Sequence, residues 1–176
     1  MPGVKVAEEG NRRRGDMNTD EINQCVKDIV LWFRRNGCNA EDGAESNRFQ
    51  SLEKASDLRV PIALETLLKE VNGGIWFMEK KLMSINEIID CISEVDSSSL
   101  WKRYLIPFCG DSSDMIVIDT NTDEVLEWDA DDGLGDSLSK NLSSYLEDFR
   151  NNLISGKLEY MDDLGVIEKV TSRPGK

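Results

Sequence analysis

The chain has 176 residues, with 39% apolar and 31% charged positions, and its 21 Lys+Arg stand against 34 Asp+Glu for a formal charge of −13. That length suits one ordinary domain with tails, and the balance of residues is that of a globular protein rather than a disordered polyelectrolyte or a fibrous repeat. The charge opposes binding to nucleic-acid phosphates and to anionic membranes, and a count of 0 His removes the commonest general base, the Ser-His-Asp and Cys-His nucleophile systems, and imidazole-containing zinc sites.

Cysteines stand at 25, 38, 91 and 109 without any CxxC, so neither a zinc knuckle nor a thioredoxin-like pair is encoded. Cys25 and Cys91 fall among apolar residues at helical spacing and read as buried thiols, whereas Cys38, after Gly37, is expected to be more exposed. The N-terminus lacks an apolar signal core, and no stretch approaches the ~20 apolar residues of a membrane span. A cytoplasmic setting is expected, with a nuclear one also open.

Residues 1–17, with Arg12-Arg13-Arg14, have little to bury and read as a disordered tail. Asn18 and Glu21 form a capping box ahead of Ile22, Cys25, Val26, Ile29, Val30 and Phe33, which recur at helical spacing until Asn36-Gly37. Loop-like residues 37–47 follow, and no element is read in the sparse stretch Phe49 to Leu58. Val60-Pro61 opens a helix from Ile62 to Val71, stopped by Asn72-Gly73-Gly74. Ile75–Met78 and Lys81–Met83 read as a short hairpin, and a second capping box, Ser84 with Glu87, opens a helix through Ile92.

Three strand-like runs come next, Trp101–Cys109, Met115–Asp119 and Glu124–Trp128, joined by turns short enough for an antiparallel meander. A last helix starting near Ser139 carries Leu142, Tyr145, Leu146, Phe149 and Leu153 to Gly156. The expected fold class is α+β: an antiparallel sheet of about five strands covered by helices on one side, with an added N-terminal helix. The expected boundaries are 1–17 for the tail, 18–43 for the first helix and linker, 44–156 for the α+β domain, and 157–176 for a C-terminal extension.

Between Gly110 and Asp136 there are eight Asp and two Glu and no Lys or Arg, so most of the net charge is local. Such a field attracts a basic protein surface or a cation, while Asp is also a favoured turn residue that keeps strand edges from pairing. A calcium loop fails, because counting from Asp119 places Glu124 where Gly is needed and Ala130 where the bidentate Glu is needed. Gly133-Leu134-Gly135-Asp136 lacks the third glycine of a dinucleotide motif. No metal or cofactor is expected. Trp76, Trp101 and Trp128 are placed in strands as core or cross-strand residues.

Val60-Pro61, Leu64, Leu67, Leu68 and Asn72-Gly73-Gly74, followed by Ile106-Pro107-Phe108, Gly110-Asp111, Ile116-Val117-Ile118-Asp119 and a helix with Ser144, Leu146 and Phe149, resemble the SUKH superfamily. That superfamily includes the fungal Smi/Knr-type cell-wall assembly regulators. The resemblance covers residues 44–153; it implies a non-catalytic α+β module that binds other proteins, as a regulator, a scaffold subunit or an immunity protein neutralising a toxin such as a nuclease. The leading expectation is therefore a module whose Asp111, Asp114, Asp129, Asp131 and Asp132 face a basic partner protein, with Trp76 or Trp128 as an apolar anchor if exposed. The alternative from another class is a metal-dependent hydrolase using carboxylates of residues 111–136.

Overall fold

The computed structural model describes residues 17–170; of the expected tail, 1–16 with Arg12–Arg14 lie outside them, while Met17 packs half-buried against the core. Helix α1 (Thr19–Arg35) begins at the anticipated box, with Asn18 accepting the Glu21 amide at 2.8 Å while the Glu21 carboxylate accepts the Asn18 amide at 3.0 Å. Helix α2 (Ser46–Ser56) was not legible, because it buries only Phe49 and Leu52 and its N-cap, Glu45, makes no side-chain cap. Helix α3 (Ile62–Glu70) follows Pro61. The strands β1 (Trp76–Phe77) and β2 (Lys80–Lys81) form a small hairpin, and α4 (Ile85–Val95) starts at the Ser84–Glu87 box.

The meander is β3 (Leu105–Asp111), β4 (Asp114–Asp119), β5 (Val125–Asp129) and β6 (Gly133–Ser139), paired antiparallel in that order. Helix α5 (Leu142–Ile154) and a hairpin of β7 (Leu158–Met161) and β8 (Gly165–Glu168) complete the described chain. Two expectations are corrected here. Trp101 precedes β3 in a turn, its amide bonded to Ser98 O, and GLGDSLS forms a fourth strand that its Gly, Asp and Ser had concealed.

The three sheets are stitched together by β1 and β2. Leu82 bridges to Cys109 and the Met83 amide donates to Phe108 O at 2.8 Å, joining the hairpin to β3. The Val166 amide donates to Met78 O at 3.0 Å, joining it to β8. Pro107 lies on β3 beside a register shift, a position where a missing donor is tolerated.

Helices cover the main sheet on both faces, not on one. Met115 lies 3.8 Å from Cys91 Sγ of α4, whereas Ile118, of opposite parity on the same strand, lines a cavity with Ile22 of α1, Ala63 of α3 and Leu142 of α5. Burial on both faces accounts for the unbroken apolar run Met115-Ile116-Val117-Ile118, where one-sided burial would have produced alternation. The apolar stripe of α1 closes against α5 and α3: Phe33 stacks on Phe149 at 6.3 Å, and Asp28 pairs with Arg150 at 3.3 Å.

Cys38 is buried at 6% exposure, not exposed as its glycine neighbour implied. Its loop is laid against the body by Ala44 N to Leu68 O at 2.8 Å and Asn72 N to Asp42 O at 3.0 Å. All four thiols are free and buried. Burial pushes Cys25 up to about 11 and Cys91 up to about 12, so these thiols are apolar packing groups rather than nucleophiles.

Candidate functional site

A meander sends alternate turns to opposite ends of its sheet. The β3–β4 and β5–β6 turns therefore share one end, and all five candidate aspartates collect there. Asp111 and Asp114 face each other across β3 and β4, and Asp114 faces Asp129 across β4 and β5. Ala130 N donates to Ser113 O at 3.0 Å and ties the two turns together. Asp119, Asp123 and Glu124 belong to the β4–β5 turn at the other end.

Three of the acidic residues have a local structural task. Asp111 accepts the Ser113 and Asp114 amides at 2.9 and 3.2 Å, Asp119 accepts those of Asn121 and Thr122 at 2.8 and 3.2 Å, and Asp129 accepts those of Asp131 and Asp132 at 2.9 and 2.7 Å. Each ends a strand and folds the next turn around its own carboxylate. Gly110 completes the first of these turns at φ +94°, where an added Cβ would lie 2.3 Å from Asp114 O. Asp131 and Asp132 hold no such position as acceptors and stand exposed.

Like charges directly opposed across strands repel, and Lys80 relieves this. Its side chain, only 13% exposed, pairs with Glu79 at 3.2 Å and Asp114 at 3.6 Å. Burial opposes its charge, but Glu79, Asp114 and Glu127 outweigh that and raise its pKa. The carboxyl of Asp111 is held below its usual value by the Ser113 hydroxyl and amide, with smaller help from the Asp114 amide and Lys80. Asp111 is thus held in its ionised form at neutral pH by the turn that it folds.

Trp128 is not an anchor. It is 1% exposed, stands edge-on to Trp101 at 5.5 Å, and donates its indole N–H to Leu100 O at 3.3 Å. Trp76 is half-buried, lies under the Lys81 ammonium at 5.8 Å, and borders a separate cleft with Cys38, Tyr160 and Asp162. The structure brings the five aspartates together and leaves both tryptophans apart from them. Sequence reasoning missed Lys80, whose role depends on a contact 34 residues away, and Glu94 of α4, which accepts the Ser112 hydroxyl at 3.1 Å.

The same acidic chemistry also guards an edge. Strand β6 is exposed from Leu134 to Leu138, carries Asp136, and is paired to β5 with two register shifts. A charged, bulged edge resists pairing with another chain. Among the described residues no group of three or more His, Cys, Asp or Glu side chains is arranged to hold a metal ion, and no helix is long and apolar enough to cross a membrane.

This layout, a small antiparallel meander between helices with an Asn-Gly-Gly stop before the hairpin, defines an α+β module. The model of the SMI1 / KNR4 family (SUKH-1) matches residues 43–148, and the chain belongs to that family. The match begins in the loop before α2 and ends inside α5, leaving α1 and the β7–β8 hairpin outside it. No curated protein matches the chain.

Proposed function

We propose that the protein is a non-catalytic SUKH interaction module that holds a basic partner protein at the sheet end formed by Asp111, Asp114, Asp129, Asp131 and Asp132. The observation that carries this reading is the convergence of two acidic turns on one rigid end, with a semi-buried lysine to offset their mutual repulsion. Fixed carboxylates steer a cationic surface and select it over an acidic one. Family membership supports a protein-binding role, either as a regulator or scaffold subunit or as an immunity protein that occupies the cationic cleft of a toxin such as a nuclease. The setting is cytoplasmic or nuclear.

The test is affinity capture from native extract at low and high salt, using the native protein and a variant with Asp111, Asp129, Asp131 and Asp132 changed to Asn. A stoichiometric basic partner lost at high salt and lost by the variant is the expected result. A partner that ignores both changes would overturn the assignment. The identity of the partner separates the regulator from the immunity protein.

A further inference from the structure

With Trp128 buried, the acidic end presents no tryptophan as an anchor, yet a recess lies near it. A cavity of about 670 Å³ opens between the C-terminal end of α2, one face of α4 and the segment leading into β3. Its apolar lining is Leu58, Ile89, Ile92, Trp101, Tyr104 and Leu105. Asp57, Asp96 and Arg103 stand on its rim. Arg103 is 86% exposed and meets Asp96 at 3.4 Å, an exposed pair that holds the mouth only weakly. The volume lies in the range of clefts that hold ligands.

The elements that wall this recess also support the acidic turns. Helix α4 presents Ile92, Ser93 and Asp96 to the recess, and the intervening Glu94 accepts the hydroxyl of Ser112 in the β3–β4 turn. Trp101 lines the recess while its neighbour Leu100 accepts the Trp128 indole and lies against Gly133 of the β5–β6 turn, where an added Cβ would be 3.3 Å from it. The α4 and Leu100–Trp101 walls of the recess are therefore joined to the acidic turns, while its Tyr104–Leu105 wall extends toward the opposite end of the sheet, where Leu105 pairs with Asp119.

We infer that this recess receives a large apolar side chain of the basic partner, flanked there by Lys or Arg residues that face Asp96, Asp129, Asp131 and Asp132. The inference rests on the acidic turns being the partner surface. It gives that surface the arrangement common to tight interfaces, a desolvated apolar anchor beside a charged rim. The partner's anchor enters this protein rather than a tryptophan of this protein entering the partner.

The probes are a short lysine-rich peptide with one central phenylalanine and its twin with serine at that place, titrated at low salt by calorimetry. The native protein is expected to bind the phenylalanine peptide about tenfold or more tightly, the worth of burying one such side chain. Ile92→Gln removes that preference and leaves the serine peptide's affinity unchanged. Ser93→Trp fills the recess from its rim and has the same effect, which guards against a folding defect in the first variant. Asp129→Asn, Asp131→Asn and Asp132→Asn together weaken both peptides. Equal binding of the twins to the native protein, or a preference that survives both recess substitutions, overturns the recess and leaves the acidic surface standing. No binding of either peptide overturns the acidic surface and the recess with it.

Discussion

Phe33→Ala tests whether α1, which lies outside the family match, is part of the same cooperative unit as the sheet. Phe33 is 0% exposed, stacks on Phe149, and meets Tyr160 edge-on at 6.0 Å, so one side chain joins α1 to α5 and to β7. Truncating a fully buried phenylalanine costs about 3–5 kcal/mol, from lost transfer energy and from the cavity left behind. Against a stability of about 5–15 kcal/mol that is a large fraction. At about 2–4 °C per kcal/mol for a chain of this size, the melting temperature should fall by about 10 °C. Urea unfolding followed by far-UV circular dichroism and by near-UV signals from the buried Trp101–Trp128 pair is the assay. Both signals should shift together to lower urea. A loss below about 1 kcal/mol, or a helix transition that leaves the tryptophan signal unmoved, would refute the claim that α1 completes the core.

Stability should also fall in alkali. The folded protein keeps the Cys25 and Cys91 protons to about 11 and about 12, while the unfolded chain releases them near 9.0, so the folded state binds more protons in that window and each thiol withdraws about 1.4 kcal/mol per pH unit. Thermal melts from pH 8 upward should show this slope, reduced in Cys91→Ala; a flat profile would count against it. Gly165→Ala should loosen the β7–β8 hairpin by more than about 1 kcal/mol, because φ is +95° and the new Cβ would sit 2.3 Å from Met78 O and 2.8 Å from the Trp76 ring. Faster hydrogen exchange at the Val166 amide, with β4 and β5 unchanged, is the expected signature, and unaltered Val166 protection would contradict it.

What was legible in the chain was what short-range chemistry dictates. Asn18 and Ser84 announced their helices through reciprocal caps, and the Asp-rich turns placed the meander strands to within a few residues. Long-range packing decided the rest. Helix α2 buries two side chains and lacks a capping hydrogen bond, so neither periodicity nor a cap revealed it. Strand β6 looked like a loop because an exposed edge needs no apolar alternation. Trp101 and Trp128 were visible as aromatic residues, but their mutual packing, which removes Trp128 from the surface, depends on a contact across 27 residues. The five aspartates were singled out by charge density, and their convergence at one sheet end, like Lys80, Glu94 and the recess, required the fold.

The strand-ending aspartates 111 and 129 each fold a turn through a side-chain oxygen that accepts two amides. Asparagine offers the same acceptor without the charge. At these positions the geometry of the turn is consequently independent of its electrical sign. The field of this surface can be strengthened or faded one residue at a time, and the scaffold beneath need not adjust. The chemistry that shapes the turns thus leaves their charge open to adaptation.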